Sequence, residues 1–353
     1  MFIMKKYPVI LMLAAAAFTA ASCSKALSPG ETSGGTSQLV VNLSGGSLTK
    51  ATTPTTGESA ISSLHVLVFD SDNNLDIYHK CTAAEITAKS ASVTVKTGTK
   101  HVWAVANIAD SKLSSVTTVS GLKAVTTDLS DNGTSAFIMV GSADATVATT
   151  GATAAITLKR LVARVSLNKV TCSLPSAYGS MKVNRVYLAN VVGNMNLGGD
   201  AAASTWYNKE GVKDESPLVS SHIIDGSTYT ASCASLTYAT LGDDISVGGS
   251  KSWTGKFMYC YRNTSTTAPV AFNTTFSAQR TVLVVVATIS SKVYYYPVVL
   301  DNATIAANTE YGVSLTITGL GSDHPNKPVE KGALTATVSV ASWDTGSAYT
   351  ETI

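Results

Sequence analysis

From Leu64 to Thr318 the chain is a succession of short runs rich in β-branched and aromatic residues, cut by turn residues before they reach helical length. Leu64, Val66 and Val68 alternate with His65, Leu67 and Phe69, a pattern for a strand buried on both faces, and the polar turn Asp70 to Asn74 follows. Similar runs recur at Ala91 to Val95, His101 to Ile108, Ala136 to Val140 and Ala154 to Val165, divided by Thr97-Gly98 and Asp131-Asn132-Gly133. Only Thr82 to Ala88 and Ser111 to Leu122 carry even weak helical character. Repeated short strands with such punctuation predict an all-β sandwich. The abundance of Thr, Ser, Val, Ala and Tyr suits extended, half-buried strands on an extracellular protein.

At 353 residues the chain has room for two domains of ordinary size. Lys159-Arg160 interrupts two apolar runs between Ile156 and Leu167, and this basic pair is the expected boundary. Strand-like runs continue at Val183 to Val192, Ser252 to Tyr261, Thr281 to Ile289, Val293 to Leu300 and Tyr311 to Thr318. The stretch Gly319 to Pro328 is rich in Gly and Pro, unfit for a sheet interior, and reads as a linker. One more alternating strand follows it, with Leu334, Ala336, Val338 and Val340 on one face. A matching short strand stands near the other end, with Leu39, Val41 and Leu43 on one face and Gly45, Gly46 and Lys50 just behind.

Lys5 and Lys6, the apolar run Tyr7 to Phe18 and the small residues Ala20, Ala21 and Ser22 before Cys23 form a bacterial export signal with a lipobox-like site. Ala20 stands where Leu is commonest in such sites, and an ordinary signal peptide cut near Ser22 is the alternative. Past this leader no apolar run approaches the ~20 residues that span a bilayer, so membrane contact rests on an acylated Cys23. Charged residues make up 14% and the formal net charge is +2, so no strong field points to nucleic acid. Cys81, Cys172, Cys233 and Cys260 show no CxxC spacing, and at least two thiols are expected to be free or buried.

Ser47-Leu48-Thr49-Lys50, Ser71-Asp72-Asn73 and Lys96-Thr97-Gly98 reproduce in order the SxxK, SDN and KTG strings of penicillin-binding proteins. That chemistry needs the Ser and Lys on a buried helix, whereas here they follow a strand in a Gly/Ser-rich stretch, so two hairpin turns and a processing site are expected instead. Asp70, Asp72 and Asn74 have calcium-loop spacing, but Leu75 replaces the turn Gly and Cys81 the bidentate Glu. No histidine has ligand spacing, and neither metal nor cofactor is expected. Trp103 is expected in the core, while Trp206-Tyr207, in a polar stretch, is the expected surface aromatic pair.

Several strings occur in order along nearly the whole chain: Ser22-Cys23-Ser24-Lys25, Leu64 to Phe69, Trp103-Ala104-Val105-Ala106-Asn107, Leu161-Val162-Ala163-Arg164-Val165, Tyr294-Tyr295-Tyr296-Pro297, Asn308-Thr309-Glu310-Tyr311 and Val338 to Trp343. Together they resemble a Bacteroidales fimbrillin, the major subunit of type V pili. The resemblance implies two transthyretin-like Greek-key β-sandwich domains in tandem and export as a lipoprotein precursor to the outer membrane. It further implies cleavage by a trypsin-like protease that frees the first strand, and a neighbour's C-terminal strand that fills the vacated groove.

On this sequence the cleaved bond maps onto Lys50-Ala51, the removable strand onto Gln38 to Leu43 and the donor onto Leu334 to Trp343. Lys50 stands where the best-known members have Arg. The implied division is 1–22 signal, 23–50 propeptide, 51–160 and 161–332 sandwich domains, and 333–353 donor segment. The implied partners are further copies of the chain, accessory fimbrial subunits and the protease, with a host glycan or protein as a further candidate. The expected role is a non-enzymatic shaft subunit of a cell-surface fimbrium. The alternatives are a monomeric lipoprotein adhesin or a tip or anchor subunit.

Overall fold

The computed structural model describes residues 35–45, 57–199, 204–209, 233–269, 277–300, 304–330, 332–342 and 348–352. The first half supplies β1 (Thr36–Gly45), β2 (Leu64–Phe69), β3 (Leu75–Lys80), β4 (Ser90–Lys96), β5 (Gly98–Ala106), β6 (Thr126–Asp128), β7 (Met139–Val147) and β8 (Ala152–Arg160). The second half begins with β9 (Val162–Cys172), β10 (Met181–Ala189), β11 (Val191–Val192), β12 (Asn194–Asn196), β13 (Trp206–Tyr207), β14 (Tyr238–Ile245), β15 (Ser250–Ser252) and β16 (Phe257–Tyr261). It ends with β17 (Val282–Ile289), β18 (Lys292–Val299), β19 (Thr309–Ile317), β20 (Leu334–Ser342) and β21 (Ala348–Thr352). Short helices α1 (Ala83–Ala88), α2 (Asp110–Leu113) and α3 (Val119–Ala124) fill connections in the first half.

The first half is a seven-stranded sheet ordered β3-β2-β5-β7-β8-β1-β4. Between β7 and β8 only Met139↔Arg160 and Val140↔Lys159 pair, so the sheet folds there into two leaves. Inward-facing Leu39, Val41, Val66, Val68, Val93, Val102, Ala104 and Ile156 close a core between the leaves. Gly141 lies at the fold line, where an added Cβ would stand 2.3 Å from the Thr157 carbonyl and 2.7 Å from Ile156 Cγ2. A Gly141→Ala chain is therefore expected to lose about 1–3 kcal/mol through overpacking. An unfolding curve that overlays the parent would show that the leaves separate freely.

The second half pairs β14-β10-β17-β18 in one sheet and β15-β9-β19-β20-β21 in the other, with β16 also on β9. Val165, Leu167, Val183, Val186, Val285, Val313 and Leu315 fill the space between these sheets. Strand pairing thus changes over at Leu161, beside the expected basic pair, and the sole strand pairing across the halves among the described residues is β6 with β12. The halves also share a core: Phe69, Leu122, Leu129, Phe137 and Ile138 cluster with Val162, Met195, Tyr259 and Tyr261.

Trp206 corrects the sequence reading. It is 9% exposed, pairs with Val192 and belongs to that shared core, so it is no surface platform. Trp103, expected in the core, is half-buried at its margin, with Lys123 Nζ 5.6 Å from its ring centroid. Tyr207, its expected surface partner, is likewise half-buried.

Candidate assembly site

β1 alternates as its sequence dictates: Leu39, Val41 and Leu43 point inward and are 0%, 0% and 9% exposed, while Gln38, Asn42 and Ser44 face solvent. It lies antiparallel to β4, with Leu39 opposite Val93, and parallel to β8, with Leu43 opposite Ile156. Outward side chains extend the ladder: Gln38 Nε2 donates to Thr94 Oγ1 at 2.8 Å, and the Ser90 hydroxyl donates to Asn42 Oδ1 at 2.9 Å. The Leu43 amide donates to the Lys89 carbonyl at 2.9 Å.

No hairpin joins β1 to either neighbour. Its partners stand about 50 and about 110 positions away along the chain, so lateral pairing and apolar contact hold it in place. β4 ends the sheet order and pairs with β1 alone among the described strands. Withdrawal of β1 would leave a two-sided groove, with unpaired backbone on β4 and β8 and an apolar floor of Val93, Ala154 and Ile156.

At the other end, β20 pairs with β19 along its whole length, from Ile317↔Leu334 to Thr309↔Ser342. Ala336, Val338 and Val340 are 3%, 1% and 8% exposed, and Leu334 is half-buried. Under the start of β20 lies a mainly apolar cavity of about 370 Å³, lined in part by Val282, Val298, Pro328, Leu334 and Ala336. The tail that stands spare in sequence is thus seated in its own sheet, with β21 on its outer edge.

Where the linker to β2 re-enters the described chain, Glu58 is wholly buried against the second half. Arg164 Nη1 donates to Glu58 Oε2 at 2.7 Å and Nη2 donates to Glu310 Oε2 at 2.7 Å. The Tyr259 hydroxyl donates to Glu58 Oε1 at 2.5 Å, and Arg160 Nε donates to the Glu58 carbonyl at 3.0 Å. No local sequence pattern marks this junction, although a lone Arg inside the apolar run Leu161 to Val165 signals that a buried partner must exist.

Cys23, Lys50, Ala51 and Trp343 lie outside the described residues. Ser71, Asp72 and Asn73 form the β2–β3 turn, where Asp70 Oδ1 accepts from the amides of Asp72 and Asn74 and Asn73 takes a φ of 66°. Lys96, Thr97 and Gly98 form the β4–β5 turn, with Gly98 at a φ of 118° that suits glycine. No disulfide forms among the described residues. Cys81, Cys172 and Cys260 are buried, and burial pushes the Cys260 thiol up to about 12.

Residues 37–210, spanning the whole first half and its junction with the second, match the family model described as major fimbrial subunit protein (FimA). The chain belongs to the fimbrillin family. This fimbrillin resembles the solved fimbrilin of Porphyromonas gingivalis W83 at 14% identity and a TM-score of 0.57, over 87% of this chain and 97% of that one. A candidate cell adhesion protein of Parabacteroides distasonis gives 18% identity and a TM-score of 0.60, over 89% of this chain and 100% of that one. The tip fimbrial protein Mfa3 of P. gingivalis gives 14% and 0.53, over 88% and 100%. At these identities the likeness shows a shared fold. No curated protein matches the fimbrillin by sequence. Membership places it among subunits of cell-surface fimbriae, and its family and fold neighbours are structural proteins.

Proposed function

We propose that this fimbrillin is a shaft subunit, exported as a precursor acylated on Cys23, cut between Lys50 and Ala51, and polymerised by donor-strand exchange. The observation that carries this reading is β1: a strand paired on both sides with buried Leu39, Val41 and Leu43, no hairpin to either neighbour, and a following segment that contains Lys50. Cutting that segment removes the one covalent link that holds β1 to the domain downstream. The groove left behind takes an apolar residue at every second position, the period of Leu334, Ala336, Val338 and Val340. The two domains of the subunit are residues 51–160 and 161–332, and Trp343 closes the end of a partner's groove.

Energetics set the order of events. Each full-sized side chain of β1 contributes about 1.5–3 kcal/mol on burial, so the uncut strand blocks its own groove. A tail that leaves β19 loses burial of Ala336 and the two valines and regains it in the neighbour, so this part of the exchange is near balance. The net gain comes from covering the groove. The cavity beneath Leu334 makes that end of β20 the place where release begins. The contact runs head to tail and does not close on itself, so an open filament results. The subunit needs no catalysis of its own.

A Lys50→Ala precursor is expected to stay in one piece and monomeric after protease treatment, whereas the parent yields a chain starting at Ala51 and fibres by electron microscopy. Normal fibres from the Lys50→Ala chain would overturn the assignment of the cleavage site.

A further inference from the structure

His79 lies near the end of β3, Cys81 directly follows that strand, and Glu85 sits in the first turn of α1. The spacing matches no metal motif, but the strand-to-helix turn gathers them. An imidazole nitrogen, the thiol sulfur and a carboxylate oxygen all lie within 4.8 Å of one another. His79 Nε2 stands 3.0 and 3.1 Å from the two Glu85 oxygens. The side chains of His79 and Glu85 are 12% and 23% exposed, and Cys81 is 7% exposed, so the cluster is sheltered yet still touches solvent.

We propose that His79, Cys81 and Glu85 form a binding site for one Zn²⁺ ion, with a fourth position open to water. Imidazole, thiolate and carboxylate are the three protein ligand types that zinc takes, whereas calcium and magnesium require oxygen donors. Neighbouring ligands about 2.0–2.1 Å from a tetrahedral zinc stand roughly 3.3 Å apart, close to the His79–Glu85 separation already present. The carboxylate is held from behind: the Thr82 amide donates to Glu85 Oε2 at 2.7 Å and the Thr82 hydroxyl at 2.9 Å. Such outer bonds orient metal ligands.

Binding zinc has to take a proton off Cys81. Burial alone would raise the Glu85 carboxyl, but the Thr82 bonds and His79 outweigh it and hold it below the usual range. Burial, and then the charge of Glu85, pushes the Cys81 thiol up to about 12. Zinc displaces that proton as the Zn–S bond forms, and the proton passes to solvent.

The location gives the ion work to do. β3 and β4 stand at opposite ends of the sheet order yet meet across the folded sandwich, with α1 packed against β4. Lys89, which caps α1, accepts the Leu43 amide of β1. Zinc would tie β3 to the helix that leads into β4 and so clamp the open seam of the first half. This holds whether or not β1 is exchanged.

The test is calorimetric titration of the full chain with Zn²⁺, together with Co²⁺ substitution followed by its thiolate charge-transfer absorption. One equivalent, a Co²⁺–thiolate band and a zinc-dependent rise in melting temperature are expected. Cys81→Ser and His79→Gln should each weaken binding by more than the roughly 10- to 100-fold that loss of an outer-shell partner costs, and Cys233→Ser should leave it unchanged. Circular dichroism of each metal-free variant separates lost binding from lost folding, and the Co²⁺ band in the parent chain needs no variant at all. A parent chain that binds no zinc would overturn the proposal. So would a Co²⁺ band that survives Cys81→Ser or disappears with Cys233→Ser.

Discussion

Replacing Arg164 by Met is expected to cost about 3–5 kcal/mol of folding stability, the range for removing one partner of a buried ion pair. Arg164 is fully buried, bridges Glu58 and Glu310 at 2.7 Å on each side, and places its guanidinium carbon 4.4 Å from the Phe257 ring centroid. Without it Glu58 and Glu310 lose the guanidinium that bridges them, at a point of β9 that also packs the shared core. The loss should exceed that of the triple variant Glu58→Gln/Arg164→Met/Glu310→Gln, because neutral amides leave no uncompensated charge. Urea unfolding of the parent, the single and the triple variant decides the matter. Equal midpoints for parent and Arg164→Met would show that this network does not hold the halves together.

The position of Glu58 gives that network a meaning beyond stability. It lies a few residues past Ala51, so in a cut subunit it would be the first firm anchor of the new chain start. β1 is bound by lateral pairing, whereas Glu58 is bound to the second half by Arg164 and Tyr259. The proposed cleavage between them would separate a removable element from a fixed one, so that the groove could open while the two halves keep their junction.

The parts of this fold that can be read from sequence are those where both faces are buried. β2, apart from His65, and most of β17 are apolar runs, and all six residues of β2 are buried. β3 and β14 escape such reading because they stand at sheet ends: Asp76, His79 and Lys80 in one, and Gly242, Asp243 and Asp244 in the other, dilute the period. The run at Ala136 to Val140 is misplaced for a related reason. Phe137 and Ile138 are core residues that precede β7, and that strand continues through the half-exposed Ser142 to Thr146.

The polar neighbours of Trp206 conceal a two-residue pairing with β11, and its ring packs in the shared core. The candidate site divides the same way. β1 and β20 announce themselves by alternation, whereas the contact of Glu58 with Arg164 joins residues 106 positions apart, and no local pattern encodes it. The cluster of His79, Cys81 and Glu85 is equally silent, since it depends on the turn that Thr82 caps.

A chain ending at Gly332 is expected to remain folded, to accept a donor strand after cleavage, and to form no fibres by itself. Its loss of β20 and β21 exposes the full outer edge of β19 and uncovers the contacts of Ala336, Val338 and Val340. Each valine contributes about 1.5–3 kcal/mol, so the melting temperature should fall. β19 nevertheless keeps its parallel pairing with β9 from Glu310 to Ile317 and the core beneath it. The first half is untouched, so the groove vacated by β1 still takes a synthetic peptide spanning Leu334 to Trp343. Mixed with intact subunits, the shortened chain should join only at the accepting end and shorten the fibres in proportion to its share. In that peptide Val338→Asp should abolish binding, because a charge would replace a side chain due to enter an apolar floor. Fibres of normal length from the shortened chain alone would exclude β20 and β21 as the donor. Equal binding of the parent and Val338→Asp peptides would show that the groove does not read the tail by its buried face.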